Sequence, residues 1–86
     1  MREVELIIEA LKKNEFEMLS LEEGSMDSGV VIFRNGEIEL KIIKDRGQWI
    51  LDGEREELEK YGCWKAFDST SEFIEKILKV SGGKNA

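Results

Sequence analysis

Asp52, Glu54, Glu56, Glu57 and Glu59 place five carboxylates within the eight residues DGEREELE. Carboxylates at that density can exchange protons, hold a metal ion or attract a cationic partner, and spacing separates the three. Acid–base work needs two carboxyls in environments that push their pKa values apart. Neighbouring acids such as Glu56–Glu57 or Glu22–Glu23 point to opposite faces of a strand or are solvated on a helix, and nothing in the sequence sets one apart from the other. A calcium loop needs the order D-x-D-x-D-G-x₅-E, which neither DGERE nor SMDSG follows.

The chain has no histidine and one cysteine, Cys63. That removes the imidazole base, the cysteine–histidine pair and histidine metal ligands. Cys63, between Gly62 and Trp64, reads as a small buried thiol. Glycines fall one per turn, so no loop cradles a phosphate. No catalytic residue, cofactor or metal site is therefore expected.

What remains is electrostatic docking. Asp52, Glu54, Glu56 and Glu57, flanked by Trp49 and Tyr61, form the predicted partner-binding surface: an acidic lip with aromatic anchors. A solvated loop or helix face is the competing reading of the same composition. A second acidic group comprises Glu15, Glu17, Glu22, Glu23 and Asp27. Net charge is −6, from 19 acids and 13 bases. An acidic chain does not suit a nucleic-acid backbone and does suit a basic protein. Glu3, Glu5 and Glu9 interrupt the apolar start, so it is neither a secretory signal nor a membrane span. A lone cysteine fits a reducing compartment, and a cytoplasmic location is expected.

Eighty-six residues make one α+β domain. Val4, Ile7, Ile8 and Leu11 predict an amphipathic helix over about residues 3–13, ending near Asn14. FEMLSLEE predicts a first strand over about 16–22, and GSMDSG supplies a turn. In VVIFRNGEIELKII, Asn35-Gly36 reads as a type I′ hairpin loop, pairing Arg34 with Glu37, Phe33 with Ile38 and Val31 with Leu40. Phe33, Val31, Ile38, Leu40 and Ile42 then share the core face, with Val30, Ile32 and Ile43 on the other beside Glu39 and Lys41.

A further strand over about 48–53 follows the turn at Gly47. A two-residue loop at Arg46-Gly47 puts Trp49 and Leu51 on the core side, and a three-residue loop puts Ile50 there; burial of the larger side chain favours the first. Residues 54–66 read either as a short helix carrying Leu58 and Tyr61 or as an irregular loop. Trp64, three positions before Phe67, is expected in the core. Ser69-Thr70-Ser71-Glu72 has capping-box spacing, and Phe73, Ile74, Ile77 and Leu78 form one apolar stripe. Gly82-Gly83 is expected to end that helix, leaving 81–86 as a frayed tail. The expected order is a helix, a four-stranded antiparallel meander and a helix, with both helices on one face of the sheet.

At KIIKDRGQWILD the chain resembles small bacterial immunity proteins of polymorphic-toxin and contact-dependent growth-inhibition systems. The resemblance spans residues 30–80 and is carried by Asp45-Arg46-Gly47-Gln48-Trp49 and the later Trp64. It implies a cytosolic antidote that binds one cognate toxin, covering its active site or blocking its assembly. A basic nuclease toxin would suit an acidic antidote. The alternative is a non-catalytic interaction module, or a homodimer pairing through Val30, Ile32 and Ile43 or through an edge strand. A monomer or weak homodimer is expected.

Overall fold

A computed structural model describes residues 1–82. Its elements are α1 (Val4–Lys13), β1 (Glu17–Glu23), β2 (Gly29–Asn35), β3 (Ile38–Asp45), β4 (Gln48–Asp52), α2 (Arg55–Lys60) and α3 (Thr70–Gly82). The strands form one antiparallel sheet in the order β1-β2-β3-β4. Both long helices cover one face, where α1 packs on β1 and α3 on β4, and the helices also touch each other. Gly83, and with it the end of the expected tail over 81–86, lies outside the described residues.

α1 buries Val4, Ile7 and Leu11. The Asn14 amide closes the helix on the Leu11 carbonyl, and Glu15 turns the chain with φ +67° so that Phe16 enters the core. At α3 the Ser69 hydroxyl accepts from the Glu72 amide at 3.2 Å, the N-terminal cap that the spacing predicts. Phe73 and Ile77 of this helix are fully buried.

The β3–β4 turn follows the favoured reading. Asp45 pairs with Gln48 around Arg46 (φ +50°) and Gly47 (φ +85°), the positive pair of a type I′ turn. Trp49 and Leu51 are accordingly buried, and Ile50 faces outward. The β2–β3 hairpin differs from expectation. Asn35 pairs with Ile38, Phe33 with Leu40 and Val31 with Ile42, so the loop is Gly36-Glu37. Only Gly36 has positive φ, +62°, the φ pattern of a type II′ rather than a type I′ turn. The register has moved by two residues. A two-residue slip leaves each side chain on its original face, so hydrophobic alternation could not choose between the registers.

The core consists of Val31, Phe33, Leu40, Ile42, Trp49 and Leu51 from the sheet, closed by the helix faces and by Phe16, Cys63 and Phe67. Trp49 and Phe73 stack with centroids 5.8 Å apart, and Phe67 packs tilted on Phe73 at 5.5 Å. Phe67 also trades both backbone hydrogen bonds with Trp49 at 2.8 Å, extending the β4 edge by one bridge. That bridge pins the irregular segment after α2 to the sheet.

Candidate functional site

The acidic lip begins where β4 ends. Asp52 is the last strand residue, Gly53 bends the chain, and Glu54 precedes the short helix α2, whose first turn holds Glu56 and Glu57. All four acids are exposed, and α2 buries no residue completely. Leu58 is half-buried against the core and fixes α2 to the body. The chain after α2 returns through the Cys63 amide, which donates to the Leu58 carbonyl at 2.8 Å.

Internal ion pairing takes up only part of this charge. Arg55 meets Glu59 at 2.9 Å, Lys60 meets Glu57 at 3.7 Å, and Lys41 lies 4.0 Å from Asp52. Such exposed pairs contribute about 0–1 kcal/mol each. Among the described residues Glu54 and Glu56 enter no ion pair. Glu56 and Glu57 do have a local use, since acids in a first helical turn complement the amide dipoles.

The aromatic flank is corrected by the structure. Trp49 is completely buried, and its indole Nε1 donates to the Thr70 hydroxyl at 3.0 Å. It offers a partner no surface and belongs to the core. Tyr61 is half-buried at the end of α2. Trp64, expected inside, is 56 % exposed. The expectation rested on the three-residue spacing to Phe67, which shares a face only within a helix; here the chain is irregular from 61 to 69. The lip therefore comprises Asp52, Glu54, Glu56 and Glu57 on one side of Tyr61 in the chain, and the exposed Trp64 on the other.

A second polar constellation lies at the opposite end of β4. Lys44 is only 4 % exposed although charged, and its ammonium donates to the Arg2 carbonyl at 2.6 Å. The Asp27 carboxylate lies 3.1 Å from it, and the Trp49 ring centroid 4.5 Å. Asp27 also accepts from the Arg2 amide at 2.6 Å. That backbone hydrogen bond, helped by Lys44 and opposed by partial burial, holds the Asp27 carboxyl below its ordinary value. The Thr70 hydroxyl in turn donates to Glu3, which enters α1 with φ +63°. Around these groups lies a polar cleft of about 220 Å³ reaching Gly47 and Asp68. The cluster ties the N-terminus, the 24–28 loop and the start of α3 to the sheet. One part of it had a sequence signal: Lys44 continues the inward alternation of Leu40 and Ile42.

Asp27 therefore leaves the second acidic group, and Glu15, Glu17, Glu22 and Glu23 remain exposed along β1. Cys63 is buried, and its thiol pKa is pushed up by desolvation against the pull of Lys76 and Lys79. Among the described residues no group of three or more His, Cys, Asp or Glu side chains is placed to hold a metal ion, and no helix is long and apolar enough to cross a membrane. Comparison with family models, curated proteins and solved structures gave no match to this chain.

Proposed function

We propose that this protein works by stoichiometric binding of a basic protein, as an immunity protein of a bacterial toxin system does. The observation that carries the reading is the lip itself. Two carboxylates without ion-pair partners among the described residues, Glu54 and Glu56, lie within ten positions of a tryptophan that is 56 % exposed. Exposed tryptophans mark interaction surfaces, because burying a large rigid ring on binding costs little side-chain entropy. A field of one sign beside such an anchor raises the association rate and selects the partner's charge. The partner is a basic toxin domain, for which a nuclease is the best-suited class, and the place of action is the cytosol of the producing cell.

The test is co-expression with the toxin domain encoded beside this chain, followed by association kinetics with the purified pair. The wild type is expected to restore growth. The double variant Glu54→Lys/Glu56→Lys is expected to slow association about tenfold at low salt, with the difference shrinking as salt rises. Failure of the wild type to restore growth would remove the antidote role. An unchanged rate with an unchanged salt slope would remove the lip as the contact.

A further inference from the structure

The sheet face turned away from α1 and α3 carries an apolar row flanked by acids. Val30, Ile43 and Ile50 are register partners across β2, β3 and β4, so their side chains stand side by side on that face. All three are half-buried. Together with Glu22, Glu23 and Asp45 they line a groove of about 420 Å³. Glu22 pairs with Val30 and closes one end of the row, and Asp45 lies two positions beyond Ile43 on the same face. The one base in the groove wall, Lys44, is already neutralised by Asp27.

We propose that this open face docks a cationic amphipathic helix. It is a second contact on the basic partner proposed above and rests on that reading for the partner's identity. The dimensions support a helix. Neighbouring strands lie about 4.8 Å apart, so the row from Val30 to Ile50 spans roughly 10 Å. An α-helix advances about 10 Å over seven residues, so apolar side chains at i, i+3 or i+4, and i+7 match the row. The rim chooses the sign: lysine or arginine beside that stripe would meet Glu22 and Asp45, whereas Glu23 alternates to the other face and pairs with the Met1 ammonium at 3.5 Å. A second copy of this chain is disfavoured, because it would bring a like acidic rim against this one.

The probe is a synthetic amphipathic helix built of leucine and lysine only, with its leucine–glutamate counterpart as the charge control, titrated into isotope-labelled protein. The expected result is amide shifts centred on Val30, Ile43 and Ile50 with the lysine peptide and none with the glutamate peptide. Ile43→Ser and Glu22→Lys are each expected to weaken binding about tenfold, one by removing the apolar contact and the other by reversing the rim. Both positions are surface-facing, so the folded spectrum serves as the control. Equal binding of the two peptides, unchanged affinity in both variants, or a dimer that buries this face would overturn the proposal. Shifts confined to α2 and lost in Glu54→Lys/Glu56→Lys would overturn it while leaving the lip reading intact. Failed growth rescue with these sheet-face shifts retained would remove the antidote role and leave the sheet-face contact standing.

Discussion

Lys44 and Asp27 meet at 3.1 Å on the helix-covered side of the sheet, joining the end of β3 to the loop before β2. The two partners are unequal. The lysine is almost entirely enclosed, whereas the aspartate keeps 23 % of its side chain in solvent. Removing one member of a buried pair is costly mainly when the member left behind is the enclosed one.

Asp27→Asn is therefore expected to destabilise more than Lys44→Met. The first leaves an enclosed ammonium without a counter-charge, held by the Arg2 carbonyl, the Trp49 ring and at most one neutral amide oxygen that the Arg2 amide also needs. The second leaves a carboxylate that still holds the Arg2 amide and can be hydrated, while methionine fills the space of the lysine stem. Urea midpoints of the two variants check the order, and a lower midpoint for Lys44→Met would contradict it.

The same aspartate sets a pH dependence. Its folded pKa is depressed, so its contribution is present above the ordinary value of 3.8 and is lost as pH falls through the folded value. The stability difference between wild type and Asp27→Asn is expected to be level from about pH 7 to about pH 5 and to shrink below about pH 4. Denaturant titrations across that range provide the measurement. A difference that widens in acid would contradict the assignment.

The two tryptophans should separate cleanly. Trp49→Ala removes a fully buried ring, its stack on Phe73 and the bond to Thr70, and is expected to cost about 3–5 kcal/mol. Trp64→Ala is expected to lie within about 0.5 kcal/mol of wild type, since it changes a largely solvated side chain. Urea denaturation reads both, and quenching by a soluble agent should act on Trp64 fluorescence alone.

These contrasts show how much of the molecule was legible in its residues. The meander, its inward face and the Arg46-Gly47 turn follow from period-two alternation and one glycine, because each choice moved a large side chain in or out. The β2–β3 register did not follow, because a slip of two residues moved none. Trp64 was expected inside because residues 61–69 have no period from which a face can be read, whereas the alternation of β4 already placed Trp49 inward and ruled it out as a surface anchor. The acids of the lip were legible as composition. Which of them stay without an ion-pair partner among the described residues, Glu54 and Glu56, was not, since it depends on where Lys41, Arg55 and Lys60 reach.

Cys63 is expected to be unreactive in the folded protein. Its burial and its raised pKa both keep the thiol protonated, and only the thiolate attacks a disulfide reagent. Labelling at about pH 8 should therefore be slow in buffer and fast in urea. Because the folded pKa is raised, the contribution to stability holds below the unfolded value and falls away as pH climbs past about 9. Rapid labelling of folded protein would show that the segment after α2 opens readily.

Arg46 is the first residue of a type I′ turn, with φ +50°. A side chain with a full Cβ is strained there, and the left-handed region costs an ordinary L-residue about 1 kcal/mol, whereas asparagine relieves part of that through local hydrogen bonding. Arg46→Asn would set an asparagine directly before Gly47, and asparagine–glycine is the preferred pair for this turn. The Arg46 amide that donates to Ser28 at 3.3 Å is main chain and would be kept. The variant is expected to be more stable by about 0.5–1 kcal/mol, read from the urea midpoint at unchanged slope. Arg46→Val, which adds β-branching at positive φ, should move the midpoint the other way, and a midpoint that rose with valine would mean that the turn is not of this type in solution.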